Sequence, residues 1–225
     1  MLHAFSKGVS QLGDAKIRKV IWFSIAAAGS VFALLWLAVG AMLGATTVFM
    51  SGWLEWAVDL LGGLATLVFT WFLFPAVISA IIGIFLEDIA EAVEARHYPA
   101  LPPAAGLPVA KAAITVAAYL GVMIALNMVL LIFLLLPPLF PFVFYAVNGY
   151  LLGREYFELV ALRRTSPEEA RRLRKAHRGK LFIAGVATAL LLTIPVVNLL
   201  APVVVTAAMV HLFENWRKDA DPRIN

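Results

Sequence analysis

The residues best placed to do chemistry lie in the stretch GDAKIRKV, from Gly13 to Val20. Asp14 has the side chain of a helix N-cap, Ala15 opens the helix, and Lys16, Arg18 and Lys19 load its start with cations. A helix start offers free backbone N–H groups and the positive end of the dipole, and adding Arg18 and Lys19 makes a small oxyanion site possible there. A guanidinium can give a tetrahedral oxyanion two parallel hydrogen bonds, which an ammonium cannot. Asp14 opposes an approaching dianion unless its carboxylate turns back to cap the helix. The same cations also satisfy positive-inside anchoring of a membrane helix, and both readings stand at this point.

Other chemistry is sparse. There are no cysteines, which excludes disulfides, iron–sulfur clusters and thiolate zinc sites. His3, His97, His177 and His211 show no metal-ligand spacing and read as solvated or interfacial, so neither a metal nor a cofactor is expected. No P-loop appears, and the apolar runs carry no embedded charges of the kind that proton relays or intramembrane catalysis use, so the chain is not expected to be an enzyme. The polar groups left over are Asn127, Asn148 and Asn198 within apolar runs, and Glu87 and Arg96 where the second run meets water. These are the candidates for a polar pathway. For the asparagines, a hydrogen bond between helices is the competing role.

The elements that must position these residues are membrane helices. Of the 225 residues, 62% are hydrophobic and only 14% charged, and the mean hydropathy is +0.90, which makes the chain one polytopic integral-membrane domain over residues 1–225. Leu2 to Leu12 spaces Leu2, Phe5, Val9 and Leu12 as an amphipathic helix at the interface. Val20 to Met50 and Leu60 to Leu86 are two full spans, separated by an interfacial turn with Trp53, Glu55, Trp56 and Asp59. A cytoplasmic helix follows, and the prolines of Tyr98 to Pro108 end it.

Two proline-tipped units complete the chain. Ala112 to Leu136 and Leu139 to Leu152 flank Pro137-Pro138. Leu181 to Phe213 contains no charge, and its 33 residues would reach roughly 50 Å as one helix against a hydrocarbon core of about 30 Å. Pro195 and Pro202 bracket Asn198, which places the break and a protein-enclosed tip there. Between the units, Arg154 to Lys180 is strongly basic, and Ser166-Pro167-Glu168-Glu169 starts a helix running to His177. Anionic head groups or nucleic acid could meet such a helix, but no nucleic-acid motif accompanies it.

Every basic segment should face the cytoplasm, as should both termini, so each apolar unit enters and returns to one side. The expected fold is therefore all-α: two long transmembrane helices, two re-entrant hairpins, and short amphipathic or cytoplasmic helices. Six full spans are the competing topology.

Three places together resemble the CysZ family of bacterial sulfate permeases, related to the etoposide-induced-2.4 membrane proteins. They are the Gly13 to Val20 turn, FLEDIAEAVEARHYP from Phe85 to Pro99, and the 150–213 block from YLLGREYFELVALRR to IPVVNLLAPVVVTAAMV. The resemblance implies an oligomer of such protomers in the bacterial inner membrane, conducting sulfate into the cytoplasm for cysteine synthesis. It also implies a sulfate site near the start of the first span, built on a Pro-Gly-Leu-Arg type of turn and a following basic residue. Here Ala15 to Lys19 occupy those positions: Arg18 and Lys19 carry the match, while the proline and glycine are replaced and Gly13 lies close by. A non-transporting scaffold that shapes or tethers bilayers is the alternative function.

Overall fold

The computed structural model describes residues 2–45, 52–104, 109–194 and 197–220. Every regular element among the described residues is helical. Helix α1 spans Leu2–Ser10 and tightens into a 3₁₀ turn, Gln11–Gly13; α2 is Ala15–Ala45, α3 Gly52–Ile84 and α4 Leu86–His97. Then come α5, Val109–Phe133; α6, Phe140–Ala161; α7, Pro167–Ala176; α8, Arg178–Thr193; and α9, Val197–Ala220.

Helix α9 is the axis of the molecule. It is apolar around most of its circumference, as suits a helix enclosed by protein, and every residue from Ala201 to Glu214 is buried. Helices α1, α3, α4, α6 and α8 pack around it. Among the described residues, three stretches are long and apolar enough to cross a bilayer: α2, the Gly52–Trp71 portion of α3, and α9. They differ in what they face. Helix α2 buries only the stripe Ile17, Ser24, Ala28 and Phe32, and leaves Leu34 and Leu37 exposed, so most of its surface suits lipid. The 16 residues of α8 would extend about 24 Å, short of a crossing.

Small residues let the elements approach. Gly149 and Gly153, spaced as GxxxG on α6, meet Gly185 on α8 so closely that a Cβ at Gly185 would lie 1.8 Å from the Gly149 carbonyl oxygen. The first proline-tipped unit is thereby locked to the second. On α1, Ala4 and Gly8 form a second such stripe, and a Cβ at Gly8 would sit 2.5 Å from the Val204 carbonyl oxygen of α9.

Four expectations are corrected. First, the deepest contacts of α1 are made by its small residues Ala4 and Gly8, which let its backbone approach α9; Phe5 and Leu12 of the expected apolar face pack against the core only in part, and Val9 is exposed. Second, the first arm of the final run ends at Ile194 as its length leads one to expect, but Asn198 is already in the first turn of α9, which continues through Pro202. Pro195 lies outside the described residues. Pro202 is tolerated because the carbonyl it leaves without a donor, that of Asn198, accepts from Ser79 Oγ on α3 at 3.2 Å. Third, Trp53, Trp56 and Asp59 sit on the first turns of α3 rather than in a turn. The connection itself lies in 46–51, outside the described residues, as does the side chain of Glu55. Fourth, His211 is neither solvated nor interfacial but 2% exposed, within α9.

Candidate anion site at the start of α2

Gln11–Gly13 brings the chain to Asp14, whose backbone is extended (φ −71°, ψ 138°) and whose N–H is bonded to the Gln11 carbonyl at 2.8 Å. This is the geometry of an N-cap, and the side chain behaves as one: Asp14 Oδ1 accepts from the Lys16 N–H at 2.8 Å. The other oxygen, Oδ2, accepts from Arg96 Nη1 of α4 at 3.0 Å. Burial pushes the Asp14 carboxyl upward, but the Lys16 N–H and the Arg96 guanidinium outweigh it and hold the group below its ordinary value. Both carboxylate oxygens are thus engaged, so the acid is turned away from any anion approaching the cations.

Ile17, 1% exposed, anchors the first turn against the core and so decides which way its neighbours point. Arg18 and Lys19 follow it around the helix and are exposed. Lys16 lines a groove of about 180 Å³ between α2 and α4 that Asp88 and Glu91 also line. Two carboxylates against one ammonium make that groove unsuited to a dianion. Gly13 is exposed, with open space where a Cβ would project.

The remaining pathway candidates are dispersed. Arg96 joins the α2 start through Asp14, while Glu87 is in the first turn of α4, about 14 Å away along the helix, where its carbonyl accepts from Arg163 Nη1 at 3.0 Å. Asn127 and Asn148 bond back to their own helices, at the Met123 and Phe144 carbonyls. Asn198 stands in the first turn of α9 against α3, and its Oδ1 is buried without a hydrogen-bond partner.

Two polar clusters were not foreseen. Glu94, 3% exposed, is gripped by Arg163 and Arg164 from the end of α6, with Arg164 Nη2 at 2.6 Å and Arg163 Nη2 at 3.2 Å. Arg164 Nη1 also donates to the Pro102 carbonyl at 2.6 Å. The clamp fixes α4, and with it Arg96, against α6. In the second cluster Gln11 Nε2 pairs with His97 Nε2, the His97 and His211 rings meet edge to face at 4.9 Å, and Tyr98 OH bonds His211 Nδ1 at 2.9 Å. Below it Glu214, fully buried, accepts from Arg217 at 2.7 Å. The adjacent pair Arg163-Arg164 and the GxxxG of α6 were the available signals; charge counting by loop merged the arginines into one basic segment.

Residues 4–202 match the family model described as sulfate transporter CysZ/etoposide-induced protein 2.4. A comparison with curated proteins finds no match.

Proposed function

The chain belongs to the sulfate transporter CysZ/etoposide-induced protein 2.4 family, and from that premise we propose that it is a sulfate-conducting channel or permease of the bacterial inner membrane. It supplies sulfate for cysteine biosynthesis. The carrying observation is the state of Asp14: with both oxygens engaged, Arg18 and Lys19 are left as exposed positive charge at a helix start. Sulfate docks there, held by the side chains of Arg18 and Lys19 close to the exposed Gly13. Arg96 serves by neutralising Asp14.

In this reading α2 and α3 cross the membrane, while α5–α6 and α8–α9 enter and return with both termini cytoplasmic. Helix α9 is long enough to cross, but its buried surface serves it better as the inner arm of a hairpin. Asn127, Asn148, Asn198 and Glu87 line stretches of the path. Because Arg18 and Lys19 face outward from one protomer, a homo-oligomer encloses the route. The experiment is Arg18→Ala with sulfate binding and flux both measured in protein that inserts and assembles normally. At least a tenfold loss of binding is expected, and unchanged binding and flux would return Arg18 to an anchoring role.

A further inference from the structure

A second cationic site lies away from the start of α2. A cavity of about 320 Å³ between α6, α7 and α8 is lined by Arg154, Arg171, Arg174, Lys175 and Arg178, and its lining contains no carboxylate. That volume is at the small end of the range of roughly 300–1,000 Å³ for ligand pockets. Glu158 beside the cavity supplies a counter-charge, and it is shared: Arg154 Nε donates to it at 2.8 Å, while Arg174 Nε stands 3.5 Å off. Arg174 Nε is buried and makes no hydrogen bond. A buried guanidinium nitrogen without a hydrogen-bond partner is costly, and an oxyanion reaching the cavity would relieve the excess charge around it.

The rest of the lining is apolar and sits to one side. Leu181 forms the floor, 4% exposed, whereas Tyr150 and Phe182 are open to the surroundings, and Ile183 beside them is 61% exposed. The cations gather where α7 ends and α8 begins: Arg174 and Lys175 are in the last turn of α7 and Arg178 opens α8, whose N-cap His177 makes no side-chain cap, and Phe182 of the open aromatic surface lies one turn further along α8. Phosphate above and hydrocarbon below is the order of groups in a phospholipid entering the bilayer edge-on. A small free anion would use the cations and leave Tyr150 and Phe182 without a purpose.

We infer that this cavity binds the phosphate head group of an anionic phospholipid, pinning the α6–α8 pair to the cytoplasmic leaflet. The inference rests on the membrane placement of α8 and not on sulfate conduction. Its test is native mass spectrometry of the full chain in detergent, titrated with phosphatidylglycerol, with phosphatidylcholine as the zwitterionic control. Arg174→Gln/Arg178→Gln should weaken phosphatidylglycerol retention at least tenfold, and Arg172→Gln, on the same helix as Arg174 but outside the lining, should change it less than twofold. Arg178→Gln alone, at an exposed position, carries the test if the double variant fails to fold. Equal loss in Arg172→Gln would show a diffuse basic field and overturn the site, as would unchanged retention in the lining variants. Inorganic phosphate alone, binding the lipid-free protein as tightly as the phospholipid does, would overturn the lipid assignment. Sulfate flux plays no part in these readouts, so its absence would leave the result intact.

Discussion

Ser79 Oγ donates to the carbonyl oxygen of Asn198, 119 residues away in sequence, at 3.2 Å. That carbonyl would ordinarily accept the N–H of the residue four positions on, which here is Pro202 and has none. A hydroxyl from α3 therefore stands in for a missing helix bond at the point where the last apolar run folds back. The relationship predicts non-additivity. Ser79→Ala should destabilise the protein by about 1 to 3 kcal/mol by leaving the carbonyl unsatisfied. In a Pro202→Ala background, where the introduced alanine supplies the missing N–H, that loss should shrink to near zero. Thermal or denaturant unfolding in detergent closes the cycle, and equal losses in the two backgrounds would refute the substitution of one donor for the other.

Removing Glu94 is the more severe change. Its carboxylate is the shared partner of Arg163 and Arg164, whose side chains are only 11% and 7% exposed, so Glu94→Gln strands two buried cations. A loss of about 3 to 5 kcal/mol is expected, read as a lowered unfolding midpoint. Because α4 carries Arg96, weakened sulfate binding at the start of α2 should accompany it in whatever fraction remains folded.

The α6–α8 contact separates two glycines on one helix. Gly185→Ala puts a methyl against the Gly149 carbonyl oxygen and the Gly153 nitrogen, with no flexible side chain to give way, so the pair must part. Gly179→Ala meets nothing within 4 Å and should leave stability unchanged or raise it by up to about 1 kcal/mol. Comparing folded yield and unfolding temperature of the two variants checks this; a Gly185→Ala protein as stable as its parent would contradict the tight packing.

His97 gives the docking of α1 a pH dependence. Burial, then the neighbouring Arg96 and Lys7, lower its pKa from 6.5, with Asp14 opposing. The unfolded chain therefore takes up the proton first, so this group's contribution is complete above pH 6.5 and is lost as pH falls toward its lower folded value. Gln11 pairs with the same ring, and His211 lies across from it. Between pH 7.5 and pH 5.5 the wild-type protein should lose more stability than His97→Gln does. Identical pH profiles would show that His97 does not link folding to pH.

How far the sequence spoke depends on the kind of signal. Local stops and starts were legible: Asp14 caps α2, Ser166 Oγ accepts from the Glu169 N–H at the start of α7, and the break between α5 and α6 falls at Pro137-Pro138. Each rests on a few adjacent residues whose backbone preferences act without help. Which faces of the apolar helices meet protein was not legible, because a run such as Val203 to Val210 is small or apolar nearly all round and carries no helical polar stripe. The same silence hid the burial of His211 and the docking of α1 through Ala4 and Gly8. At the candidate site the cations were plain in the sequence, whereas the pairing of Asp14 with Arg96 spans 82 residues and needed the fold.

Sulfate flux into proteoliposomes tests the central claim most directly. With the purified protein inserted in a shown orientation, labelled sulfate should enter down its gradient well above the rate of protein-free vesicles. Entry should persist when a protonophore collapses any proton gradient. Flux no greater than that of empty vesicles, from protein verified as folded and inserted, would contradict conduction and leave the chain a scaffold.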